Sequence, residues 1–242
     1  MEYPLEFAKS LTVVVGFLRL FVSLVCLSIS VLSFKRKREL QIFNQLSFFS
    51  FFMFAWDFLV GAYFLVSEIS FLPILNSLIY VFVPLTALTF FFFGYCHYHE
   101  VFRMKTSFVL SFSIIPIITI LLSVTTPLGI HNFFQDYGTG IVYKPTRELE
   151  LTYGVWFYIH SAYSYLLILT GSGLLLIKAL KPKTRNKKIY QIMASVATLY
   201  CFYNIAGTFF LPTNRVGIFT PLLHLLLINS FFWSSFLDKE GT

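Results

Sequence analysis

Seven long apolar stretches dominate this chain, and they leave few ways for it to fold. They run over about 10–34, 41–66, 70–96, 107–124, 154–177, 190–211 and 217–237. A bilayer core needs roughly 20 apolar residues per helix, so each stretch is long enough to cross one. Transmembrane barrels are written in short alternating strands, which this sequence does not show. The fold class expected is therefore all-α: a polytopic, seven-transmembrane helix bundle forming a single domain over residues 1–242. Composition agrees: 57% of residues are hydrophobic and 12% charged, with a mean hydropathy of +0.76, where soluble domains carry roughly twice that charged fraction. The first stretch does not read as a cleaved signal peptide. Its apolar run is too long, and Glu2 and Glu6 precede it where basic residues are expected.

The formal charge of +7 invites a nucleic-acid reading, but its placement serves orientation instead. Lys35, Arg36, Lys37 and Arg38 follow helix 1, and Arg103 and Lys105 follow helix 3. Lys178, Lys181, Lys183, Arg185, Lys187 and Lys188 follow helix 5, and Lys239 follows helix 7. Thus 13 of 18 basic residues fall on one side, against Lys9, Lys144, Arg147 and Arg215 on the other. The positive-inside rule then places the N-terminus outside and the C-terminus in the cytoplasm. The expected partner is the lipid bilayer of a cell membrane, with no nucleic acid.

Loops are short except residues 125–153, where "TGIVYKPTRELELTY" alternates and turns at Lys144–Arg147. That pattern predicts an extracellular β-hairpin, and such a loop is either a lid or a plain connector. Prolines 84, 116 and 221 fall inside helices 3, 4 and 7, where membrane helices tolerate breaks if neighbours satisfy the freed carbonyls. Cys26, Cys96 and Cys201 read as small apolar residues, with neither a disulfide framework nor metal spacing. The chain ends in "DKEGT" soon after helix 7, so a soluble catalytic domain is not expected within it.

Charges inside spans are costly and by default functional. Arg19 lies ~15 Å below Lys9, and Asp57 ~16 Å below Glu68, at ~1.5 Å per residue. Adjacent antiparallel helices bring the two to one depth, so an intramembrane Arg19–Asp57 ion pair is expected. It serves as a staple between helices 1 and 2 or as part of a ligand site. By the same rise, His160 lies ~15 Å inward from Glu150, His224 ~14 Å and Asn204 ~16 Å from Arg215. On helix 5, Trp156, His160, Tyr163 and Ser164 share a face; on helix 6, Tyr200, Tyr203, Asn204 and Gly207 do. Such faces either enclose an aromatic ligand pocket or make interhelical hydrogen bonds. The candidate ligand set is Trp156, His160, Tyr163, Tyr203, Asn204 and His224.

No cofactor or metal is expected. Helix 7 has no lysine for a retinal Schiff base, and no span carries His, Asp and Glu at metal spacing. His97 and His99 in "CHYHE" read as solvated interfacial histidines. Ser161 and Ser164 lie too close along the helix to His160 to align as nucleophiles, so the chain is not expected to be an enzyme.

"FSIIPIITILLSVTTP" from Phe112, then "YGVWFYIHSAYSYLLIL", then "PLLHLLLINSFFWSSFLDKE" from Pro221 resemble the N-terminal seven-transmembrane sensor region of bacterial histidine kinases. The matching residues are Pro116, Tyr163-Ser164-Tyr165 and Asp238. The chain departs from that pattern at Thr125-Thr126, where Thr-Asn is usual, and its loop histidine, His131, comes late. The phosphotransfer and ATP-binding parts are absent from this sequence. The resemblance implies a receptor-like sensor module in the bacterial inner membrane. It would bind a small ligand in the outer half of the bundle and signal to a separate cytoplasmic protein. A small-solute or proton-coupled transporter, and a non-sensing membrane anchor, remain open on the residues alone.

Overall fold

A computed structural model describes residues 5–36, 41–101, 104–130, 135–136, 152–182, 184, 187–209 and 219–237. Among the described residues, seven α-helices carry the fold: α1 (Leu5–Arg36), α2 (Gln41–Leu65), α3 (Leu72–His99), α4 (Thr106–Thr125), α5 (Val155–Leu180), α6 (Lys187–Phe209) and α7 (Phe219–Leu237). Six are long and apolar enough to cross a membrane, and α7 is a shorter apolar helix. Two strands, β1 (Gln135–Asp136) and β2 (Thr152–Tyr153), pair antiparallel with Gln135 opposite Tyr153. They join the two ends of the long loop. The expected turn at Lys144–Arg147 lies outside the described residues, as do His131 and Asp238.

Helices form because a segment inside lipid must satisfy its own backbone polar groups. The bundle is apolar without, and its intramembrane charges and many of its hydroxyls lie within, among apolar side chains. Arg19, Ser23, Ser50, Asp57, Thr119, Ser123, His160 and His224 are buried, while Phe17, Phe21, Leu24, Leu110, Ile114 and Leu121 face outward. Buried hydroxyls bond within or between helices: Ser50 Oγ donates to the Leu46 carbonyl at 2.7 Å, and Ser123 Oγ to the Ser77 carbonyl at 2.6 Å.

Neighbouring contacts run α1–α2–α3–α5–α6–α7 and back to α1, a closed ring of six helices. α4 stands outside it against α3, and is the least buried of the spans; α3 is the most buried. One core joins Val22, Phe49, Met53, Phe90, Phe93, Leu175, Met193, Ile228 and Phe231 across the ring, and a second joins Phe91, Phe92 and Leu167 to Phe108 and Phe112 of α4. Two close crossings set the spacing. A Cβ on Gly94 would lie 2.7 Å from the carbonyl oxygen of Gly171, so the α3 and α5 backbones touch there. A Cβ on Gly61 would lie 3.1 Å from the Gly16 carbonyl oxygen, drawing α1 onto α2. Small residues at such points let membrane helices pack closely.

One expectation is overturned at the end of the bundle where α3 stops. His97 is buried, not solvated: its Nδ1 lies 3.0 Å from the Tyr190 hydroxyl and its ring 4.1 Å from that of Phe93. Positions 93 and 97 lie one turn apart on the inward face of α3. His99 falls on the other face, exposed, with its ring 4.4 Å from that of Tyr95.

Candidate functional site

Arg19 of α1 and Asp57 of α2 form an ion pair in the interior. α7 adds a third member. His224 Nδ1 lies 2.9 Å from Asp57 Oδ2 and 3.1 Å from Oδ1, and 3.5 Å from Arg19 Nη1. The three are 5%, 0% and 1% exposed, so water screens none of them. A carboxylate only accepts hydrogen bonds; Nδ1 therefore carries the proton and donates to Asp57. The ring's Nε2 is buried without a partner, and so is Arg19 Nε. Opposite charges cancel within the cluster, and one carboxylate ties three helices together.

The His224 ring packs between Trp56 of α2 and Tyr200 of α6, each with centroids 4.8 Å away. Beside it is a cavity of about 50 Å³, reached by residues of α2, α3, α5, α6 and α7. Phe49, Met53, Phe90, Ile168 and Leu227 give it an apolar wall, and Thr86, Ser164, Tyr165, Tyr200, Asn204 and His224 its polar groups. The turn of α3 that holds Pro84 contributes Val83 and Thr86. A hydrogen-bonded chain crosses the polar side. The Tyr165 hydroxyl donates to Asn204 Oδ1 at 2.7 Å, and Asn204 Nδ2 to the Tyr200 hydroxyl at 3.3 Å.

Of the six residues singled out from sequence, the structure brings Asn204 and His224 to this cavity. His160 sits just behind it, buried, with Nδ1 3.3 Å from Ser164 Oγ. Tyr203 turns instead toward Phe219, with centroids 6.0 Å apart. Trp156 and Tyr163 face α4: Trp156 Nε1 donates to Thr119 Oγ1 at 3.0 Å, and the Tyr163 hydroxyl donates to the Phe112 carbonyl at 2.7 Å. Helix geometry is the reason. Residues 163, 156, 160 and 164 spread over about 100° of arc, enough for one edge to meet α4 and the other to meet the cavity.

Tyr163 has an identifiable task. Pro116 lacks an N–H, so the carbonyl four residues earlier, that of Phe112, loses its helical donor. The Tyr163 hydroxyl takes that donor's place.

Trp56, Tyr165 and Tyr200 were not among the six. Two weak signals pointed to them: Trp56 adjoins the intramembrane Asp57, and Tyr200 precedes Asn204 by one turn. Among the described residues no cluster of His, Cys, Asp and Glu could hold a metal ion.

A comparison with curated proteins finds no match. The family model described as the N-terminal 7TM region of histidine kinase matches residues 18–239, nearly the whole of the chain. With seven apolar helices and the interior described above, the chain belongs to that family, the seven-transmembrane membrane region of histidine kinases.

Proposed function

We propose that this chain is a ligand-gated sensor module, set in the inner membrane of a bacterial cell with its N-terminus outside and its C-terminus in the cytoplasm. A small ligand reaches the cavity from the outer side, beneath the 125–153 loop. It is held among Trp56, Ser164, Tyr165, Tyr200, Asn204 and His224, with His160 supporting Ser164 from behind. The observation that carries this reading is the juxtaposition of the cavity with the Arg19–Asp57–His224 cluster, which His224 belongs to as well as lining the cavity. A ligand that moves His224 acts on a contact joining α1, α2 and α7. Differential affinity for two helix arrangements is what converts binding into a signal. α7, or the basic segment between α5 and α6, presents the change to a separate cytoplasmic protein.

The test is a thermal-shift screen of the purified chain in nanodiscs against a library of small metabolites. Compounds are expected that stabilise the wild type but lose most of their effect on Asn204→Leu. Equal shifts in wild type and variant would sink the pocket. Asp57-dependent solute uptake into proteoliposomes would replace the sensor reading with a transporter.

A further inference from the structure

Toward the crossing of α3 and α5, the cavity is closed by one aromatic ring lying against a glycine. We propose, building on the sensor reading, that Phe90 sets the upper size of the ligand, admitting only molecules smaller than benzene, and that Gly171 is the residue that positions it.

On α3 the cavity lining runs from Val83 to Phe90, and on α5 from Ser164 to Ile168. Gly171 lies one turn further along α5. The edge of the Phe90 ring occupies the place where a side chain at 171 would begin: a Cβ there would lie 3.0 Å from both Cδ1 and Cε1 of Phe90. The ring is flanked by Phe49, with centroids 6.1 Å apart, and by Phe231 at 5.6 Å, and those two stack on each other at 4.4 Å. α3 and α5 already touch through their backbones at Gly94 and Gly171, so the two helices hold the ring at a fixed distance. Room for the ring to yield remains on the cavity side, which it lines.

The two residues therefore act in opposite senses. Without a side chain at 171, Phe90 can lie back against α5 and leave the cavity open. An alanine there would require the ring to give by a few tenths of an ångström, and it would give into the cavity. Gly171 keeps the space as large as it is, and Phe90 keeps it no larger.

Size supplies the limit. An apolar cavity of about 150 Å³ holds benzene or xenon. The cavity here is about 50 Å³, too small for benzene. Phe90→Ala removes a ring of benzene's own size from the wall and should carry the cavity toward the larger figure. Polar groups do not oppose an apolar probe, because they are already engaged with one another. Thr86 Oγ1 donates to the Phe82 carbonyl at 2.9 Å, the Tyr165 hydroxyl to Asn204, and Asn204 to Tyr200. Fit alone then decides which apolar probe binds.

The experiment uses the full chain in nanodiscs, labelled with ¹⁵N at tryptophan, with xenon and benzene as probes. Trp56 lines the cavity, and Trp56→Phe assigns its indole; the exposed Trp233 reports uptake of each probe by the lipid. Expected in the wild type is a saturable Trp56 shift with xenon and none with benzene. Phe90→Ala should let benzene move Trp56 saturably. Gly171→Ala should weaken xenon about fivefold or more, since seating it then works against an overpacked ring. Adding Phe90→Ala to Gly171→Ala should restore binding of both probes, a recovery that general damage to the bundle would not give. If benzene moves Trp56 saturably in the wild type, or fails to do so in a folded Phe90→Ala while xenon binds the wild type, Phe90 is not the limit and the pocket stands without it. Unchanged xenon affinity in Gly171→Ala overturns the role of Gly171, and either variant decides by itself should the other not fold. If neither probe moves Trp56 in any variant, the pocket falls and the size limit falls with it.

Discussion

Asp57 shows how a single side chain can govern three helices. It accepts from Arg19 and from His224, and each donor is buried because the acceptor is. Removing one partner strands the others. Arg19→Met should cost about 3–5 kcal/mol, the usual result of breaking a buried pair, read by unfolding in mixed micelles. The double variant Arg19→Met with Asp57→Leu should recover a large part, because the unpaired charge goes too; no recovery would mean that the pair's attraction outweighs its desolvation. Depth arithmetic from the sequence brought Arg19 and Asp57 to one level, and it brought His224 close to that level. What it could not do was say which way each side chain turns about its helix. His97 is the clearest example, since its place at a helix end concealed that it points inward at Tyr190. At the same end, Lys178 pairs with the exposed Glu100 and holds its carboxyl below the ordinary 4.5. A lowered folded-state value means that the contact helps above the unfolded value and is lost as pH falls through the folded one. Glu100→Gln should therefore lower stability at neutral pH, though only slightly, because the pair is exposed to solvent. Any small difference should vanish in acid and in high salt, measured as melting temperature against pH.

Between elements, the bundle is held by backbone proximity at some crossings and by borrowed hydrogen bonds at others. Gly94→Ala would push a methyl group against the backbone of Gly171 and should destabilise by about 1–3 kcal/mol. Gly173→Ala, where an added Cβ meets nothing within 4 Å, is the neutral control in the same assay. α4 depends on α5 through Trp156 and Tyr163. Tyr163→Phe should strip the Phe112 carbonyl of its donor and cost about 1 kcal/mol. Combined with Pro116→Ala, which restores a helical N–H, the loss should shrink. Hydrogen exchange along α4 would register both effects, and a loss unchanged by Pro116→Ala would contradict the proline account. The seven helices were legible as apolar runs because lipid demands them. Their neighbour order was not, since helices that are apolar all round carry no stripe to say who packs on whom. Pro116 and Tyr163 both stand out in the sequence, but only the fold shows that one residue repairs what the other breaks.

Across the whole molecule, the asymmetry of basic residues supports one orientation, and labelling can check it. A cysteine in place of Lys188 should react with a membrane-impermeant thiol reagent only after cells are opened, and one in place of Lys9 in intact cells; the reverse pattern would invert the proposed topology. The closed ring of six with α4 outside it also means that a ligand in the cavity touches five of those six helices, so its effect is not confined to one pair. The contact of Gly94 with Gly171 then acquires a mechanical meaning. With no side chain between them, α3 and α5 meet there as two rods at a fulcrum, the point about which the proposed signal would tilt them. Ser164 lies about 10 Å along α5 on the cavity side, and Leu180 about 13 Å on the other. On the proposed sensor reading, each ångström by which a ligand parted the helices at Ser164 would close them by slightly more than an ångström at Leu180, on the side where Lys178 and Lys181 reach Glu100 and Tyr98.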